Sequence, residues 1–162
     1  MHDEIAEAVR AYLLARRQLF EVAEKYPSEM RGNDNIIGRI GEYLALQFLR
    51  SKGRFPTKTK SLSQEGFDLE DGAIRISVKL LTSENVRGRG VRLKEPWDEF
   101  LLIQLSTSDL TGRVGLITKA QFEMARAENG TWGAEPIVKL GMLGKNGLFG
   151  KYGAVETVSS FF

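Results

Sequence analysis

Four side chains carry most of the chemistry this sequence can offer: Glu42, Asp68, Ser77 and Lys79. From residue 74 to 80, Ile74, Ile76, Val78 and Leu80 alternate with Arg75, Ser77 and Lys79. A strand with that pattern has one apolar face and presents Ser77 and Lys79 together on the other. Asp71-Gly72 just upstream favours a tight hairpin turn, which brings Asp68 of the preceding strand close to that polar face. Glu42 stands in a helical pattern among Gly38, Ala45, Leu46 and Leu49, where a carboxylate is costly to bury unless it meets a cation, a metal or a donor. The rest of the composition narrows the field. There is no cysteine, and the single histidine, His2, sits at a terminus expected to fray. Thiol nucleophiles, cysteine zinc sites, Ser-His-Asp triads and histidine-rich metal sites are therefore set aside, leaving carboxylate, lysine, hydroxyl and backbone chemistry.

The 162 residues, 27% charged with a net charge of +2, suit one globular domain. The expected layout is a single domain over 1–162: an amino-terminal helix in 1–32, a core over about 34–140 and a glycine-rich tail over 141–162. Absence of cysteine, of a signal-peptide pattern and of any apolar run near 20 residues predicts a cytoplasmic protein without a membrane span. Apolar residues at helical spacing predict a long helix over residues 3–26. A second, unusually apolar helix is expected to run to about Lys52, capped by Asn33 or Asp34. One short strand is expected around Phe55–Thr59, then the hairpin of 67–70 and 73–81. Phe100–Ser106 reads as a strand buried on both faces, followed by a strand at Arg113–Ile117. Thr118 and Gln121 form a capping-box pattern for a helix to about Ala127, and residues 136–140 are expected to add an edge strand. Glycines at 141, 144, 147, 150 and 153 suggest a flexible or tightly turning loop. The whole is a mixed sheet flanked by helices.

Residues 38–49 (GRIGEYLALQFL), 66–69 (GFDL) and 76–80 (ISVKL) together resemble the PD-(D/E)xK nuclease superfamily, over roughly residues 34–118. The resemblance implies an α/β, restriction-endonuclease-like mixed sheet and a metal-dependent nuclease. On that pattern Glu42 matches the helix glutamate, Asp68 the aspartate and Lys79 the lysine of the acidic-x-lysine triplet. Glu42, Asp68 and the backbone carbonyl of Val78 would then ligate magnesium or manganese, a hard cation suited to oxygen donors. Lys79 would activate the attacking water or stabilise the phosphate in the transition state. The chain departs from the pattern at Ser77, which stands where the triplet usually has an acid, and no proline precedes Asp68.

Charge distribution is a second line of argument. Residues 50–94 hold eleven basic and five acidic residues, net +6, while 1–49 and 95–162 are each at −2. In the stretch VRGRGVRLK, Arg87, Arg89, Arg92 and Lys94 are candidates for the nucleic-acid backbone, with Gly88 and Gly90 allowing close approach to phosphate. A charged surface loop is the plainer reading of the same residues. Trp97 and Trp132 are candidates for base stacking, though Trp97 beside the 100–106 strand is more simply a core-edge residue. The leading expectation is DNA phosphodiester hydrolysis, with DNA favoured over RNA and a homodimer where both strands are cut. The rivals are a nuclease-fold domain that binds nucleic acid or a partner protein without cutting, and an interaction protein that associates through its first helix.

Overall fold

Alternation and helical spacing translate directly into two cores on opposite faces of one sheet. The computed structural model describes residues 2–25, 36–59, 66–83 and 91–161. Its elements run α1 (His2–Lys25), α2 (Ile36–Ser51), β1 (Thr57–Lys58), β2 (Leu69–Asp71), β3 (Ile74–Thr82), β4 (Val91–Arg92), β5 (Glu99–Leu105), β6 (Gly112–Thr118), α3 (Lys119–Asn129), β7 (Ile137–Val138), a 3-10 turn (Leu140–Leu143), α4 (Leu148–Tyr152) and β8 (Ala154–Val158). The main sheet has the order β1-β2-β3-β5-β6-β8, with β3 and β5 parallel and its other pairs antiparallel. The fold is thus mixed α/β, a mixed sheet flanked by helices. No helix among the described residues is long and apolar enough to cross a membrane.

Strand β5 sorts the two faces. Leu101, Ile103 and Leu105 pack with Ile76, Val78 and Leu80 under α2, which contributes Ile37, Ile40, Leu44, Ala45 and Leu49, while α1 adds Leu13. Phe100 and Leu102 face the other way, towards Trp97, Phe122, Met142, Leu148 and Phe149. Burying each such side chain is worth about 1.5–3 kcal/mol, so a one-residue slip of β5 would exchange the two cores. Gly41 is the contact point of α2: a Cβ there would lie 2.8 Å from Leu80 Cβ. That close approach offsets the weakened helix propensity of glycine at 41. Open space surrounds Gly38, and nothing in the structure explains a glycine there.

Three expectations change in detail. The hairpin turn is Gly72-Ala73 rather than Asp71-Gly72, because Asp71 pairs with Ile74 and Gly72 takes φ 62°, the glycine-first arrangement of a two-residue hairpin. Residues 137–138 do not extend the main sheet; they pair with β4 in a separate two-stranded ribbon. The cap expected at Asn33 or Asp34 lies outside the described residues. The glycine-rich tail is built structure rather than a loose loop. Its backbone is pressed so tightly that a Cβ at Gly147 would strike the Gly141 carbonyl, and one at Gly150 the Gly144 carbonyl, while Leu143, Leu148 and Phe149 fill the second core. The capping box on α3 forms as its sequence predicts: Thr118 caps the Gln121 N–H, and the Gln121 side chain reaches back to the Thr118 N–H.

Candidate functional site

The site grows out of a mismatch in strand length. β3 has nine residues, but β2 pairs only with its first three, Ile74, Arg75 and Ile76. Beyond Ile76 the outer edge of β3 needs another partner for its backbone groups. Asp68 supplies it: the Val78 N–H donates to Asp68 Oδ2 at 2.7 Å. The Asp68 N–H in turn donates to the Ile76 carbonyl at 2.9 Å, so the residue is tied by backbone and side chain alike. The Lys79 ammonium lies 3.6 Å from the same Oδ2, an ion pair longer than a hydrogen bond. Gly66 sets the approach to Asp68. Its φ is 92°, and a Cβ would collide with the Glu95–Pro96 backbone, two conditions that only glycine meets together.

Glu42 has the partner its surroundings demand, and that partner is Lys58, whose ammonium lies 2.8 Å from Oε2. Lys58 stands opposite Leu69 in the β1–β2 register, and Leu69 belongs to the core under α2. Lys79, beside Leu102 in register, rises from the opposite face. The structure therefore brings Asp68, Val78 and Lys79 together at one strand edge and holds Glu42 in a separate ion pair. Among the described residues no three histidine, aspartate or glutamate side chains form a metal-binding group. The donor chemistry still suits a hard cation: Asp68 and the Val78 carbonyl are oxygen donors on the same side of β3, since a strand residue turns its N–H and C=O to one neighbour. Lys58 meets only one oxygen of the Glu42 carboxylate, and a carboxylate has capacity for more than one partner.

Ser77 shares its face with Lys79, as the alternation predicts, yet that face is not uniformly polar. Ser77 is completely buried, opposite Phe100 in register, and its hydroxyl has no hydrogen-bond partner among the described residues. An ionised acid at this position would be desolvated against the aromatic core, a cost only a metal or cation could offset.

Of the predicted nucleic-acid contacts, Arg87 and Arg89 lie outside the described residues. Arg92 sits in β4 and donates to the Glu135 carbonyl at 3.4 Å, so it is part of a ribbon rather than a free loop; Lys94 is exposed beside it. Both belong to the connection that carries the chain from β3 to the parallel β5. Trp97 is core, 1% exposed, in edge-on contact with Phe100 and Phe122, and Trp132 is half-buried against the same cluster.

The opposite end of the hairpin is clamped by arginines. Arg54 bridges Asp71 at 2.6 Å and Glu99 at 2.7 Å. Arg75 grips both oxygens of Asp98 with its guanidinium, at 2.8 and 2.9 Å, and adds its own N–H at 2.9 Å. The Arg75 side chain first, then that backbone N–H, holds the Asp98 carboxyl down at about 2. Sequence reasoning missed Lys58 as a member of the site, although an embedded Glu42 signalled that some cation had to stand there. No protein-family model matches the chain, and no curated protein matches it either.

Proposed function

We propose that this chain is a metal-dependent nuclease acting on DNA phosphodiesters, in the manner of the PD-(D/E)xK superfamily it resembles. The observation that carries the reading is the Asp68, Val78 and Lys79 arrangement at the edge of β3 beyond its pairing with β2. Asp68 and the Val78 carbonyl would hold magnesium or manganese, with Glu42 as the further oxygen donor that the resemblance implies. Such a cation would supply charge stabilisation for the phosphate oxygens and make a water bound to it easier to ionise. Lys79, already beside Asp68, is placed to orient the attacking water or to neutralise charge gathering on the phosphoryl oxygens. The concentration of basic residues over 50–94 supports a polyanionic substrate.

A second reading has its own observation. Ser77 leaves the triplet one acid short, and its burial makes the position unsuited to a free carboxylate. A nuclease-like domain that binds nucleic acid without cutting it fits that feature. The deciding experiment incubates supercoiled plasmid and single-stranded DNA with the protein and magnesium or manganese, comparing wild type with Asp68→Ala and Lys79→Ala at matched thermal stability. Metal-dependent cleavage lost in both variants supports the nuclease. Well-folded wild type that binds DNA in a salt-sensitive way and never cuts it moves the assignment to the binding domain.

A further inference from the structure

Helix α1 carries two apolar stripes, and its own chain uses one of them. Val9, Leu13 and Arg16 turn towards the sheet: Leu13 and Arg16 are buried, and Val9 packs against the core under α2. The other stripe is Ile5, Ala8, Tyr12, Ala15, Leu19 and Val22. Tyr12 is half-buried and the other five are exposed, Ile5 at 43%, Leu19 at 55% and Val22 at 44%. Steps of three and four alternate along it, the period of about 3.5 residues at which one helix seats its side chains between those of another. Packing on a single sheet needs no second stripe, so the fold of one chain leaves this seam unexplained. Ile36 at the start of α2, 48% exposed, widens it: with Ile5, Ala8 and Tyr12 it lines an apolar groove of about 390 Å³.

The residues of the seam say which helix fits it. Large side chains, Ile5, Tyr12 and Leu19, hold the first apolar position of each repeat, and Ala8, Ala15 and Val22 hold the fourth. A parallel pair stacks like on like, leaving alanine facing alanine across a void and tyrosine crowding tyrosine. An antiparallel pair of two copies of α1 sets first positions against fourth. Tyr12 then meets Ala15, Leu19 meets Ala8 and Ile5 meets Val22, each on the other copy, so that every alanine lies under a large side chain. Charge agrees with size. In that register Glu4 of each copy flanks Lys25 of the other, and among the described residues neither has an ion pair within its own chain. A parallel pair sets Glu4 beside Val9 instead.

We propose that α1 is a self-recognition surface, and that two copies of this chain pair through antiparallel α1 helices about a two-fold axis between the Tyr12 and Ala15 layers. The pairing stands whether or not the chain cuts nucleic acid.

Sedimentation equilibrium of the full chain, from about 1 to 500 μM, measures it. The expected result is a monomer–dimer equilibrium for wild type and a dimer dissociation constant about 10- to 100-fold higher for Leu19→Glu. Leu19 is exposed in the single chain, so the circular dichroism spectrum of that variant stays that of wild type. Glu4→Lys weakens the dimer about 3- to 10-fold, and adding Lys25→Glu restores it, which a loss of folding cannot do. Orientation is read from cross-links, since the chain has no cysteine of its own. A mixture of Ala8→Cys and Leu19→Cys forms a disulfide between the two variants. Neither variant forms one with itself, because its two copies lie about 16 Å apart along the helix pair. Wild type that stays monomeric at every concentration overturns the proposal. So does a dimer indifferent to Leu19→Glu and Glu4→Lys, which places the contact elsewhere on the chain. Self-cross-linking of Ala8→Cys overturns the antiparallel register in favour of a parallel one.

Discussion

Two sets of opposite charges flank the same hairpin, and they are built differently. At the turn end, arginines meet carboxylates at 2.6–2.9 Å, and the Arg75–Asp98 pair is bidentate with a backbone N–H added. At the other end, two lysines meet Asp68 and Glu42 through single contacts, one of them 3.6 Å long. Planar guanidinium forks fill carboxylate lone pairs and fix geometry, whereas an ammonium is a point charge that yields its partner readily. The first set is thereby suited to holding the hairpin against β5, and the second leaves oxygen atoms with capacity for another ligand. The contrast separates charges that maintain the fold from charges open to chemistry, without recourse to any related protein.

The largest expected effect breaks the contrast from the chemical side. Lys79→Ala is expected to lower metal-dependent cleavage by about 100- to 1000-fold, the usual consequence of deleting one group that meets transition-state charge. Lys79 is as buried as Arg54, but it meets Asp68 through one contact of 3.6 Å, so its loss should cost about 1–2 kcal/mol, less than the loss of the Arg54 clamp. Plasmid-nicking rates and thermal melts on the same preparation check both halves. A variant that loses stability in proportion to activity would make Lys79 a structural residue.

Arg54→Ala should show the reverse. It strips Asp71 and Glu99, both mostly buried, of their common cation, which is expected to cost about 3 kcal/mol and roughly 6–12 °C in Tm. Cleavage measured well below the melting range should remain close to wild type. Loss of cleavage at full folding would show instead that the clamp reaches the site.

Asp98 sharpens the comparison through pH. Its carboxyl is held near 2 in the folded chain, below the ordinary value of 3.8, so its contribution to stability is complete above about pH 4 and is lost as pH falls towards 2. The Tm gap between wild type and Asp98→Asn should be widest at neutral pH and should close below pH 3. A gap that persists unchanged at low pH would mean that the Arg75–Asp98 pair carries no linked stability.

How much of this was legible beforehand follows the physics of each signal. β3 and β5 are read correctly because alternation and a continuous apolar run are strictly local, and the α3 cap because a capping box spans only four residues. Asp68 and Lys79 are brought together by a hairpin whose turn glycine is visible in the sequence. Residues 137–138 were misplaced because a two-residue strand says nothing about which partner it pairs with. The tail reads as a flexible or tightly turning loop, and its helix and strand stay hidden, because its glycines serve backbone-to-backbone contacts, which no side-chain pattern encodes. Ser77 reads as polar but is buried, since β5 and the aromatic cluster over it come from residues far along the chain. Lys58 was hidden for the same reason: register across β1 and β2, not spacing, sets it against Glu42.

The smallest expected effect bears on that last pair. Lys58 is about half exposed, so Lys58→Gln should change metal-free stability by less than about 1 kcal/mol. Its consequence for metal dependence should be opposite in sign to that of a damaging mutation. If Glu42 is a metal ligand, the Lys58 ammonium competes with the cation for the same carboxylate. Replacing it with a neutral side chain should then lower the magnesium concentration needed for half-maximal cleavage by about 2- to 5-fold, the equivalent of one weak ion pair. Glu42→Gln, which removes the carboxylate itself, should raise that concentration, and the double variant should behave as Glu42→Gln alone, because no carboxylate remains for Lys58 to occupy. Additive behaviour in that cycle would separate Lys58 from Glu42 and leave metal binding to Asp68 and Val78.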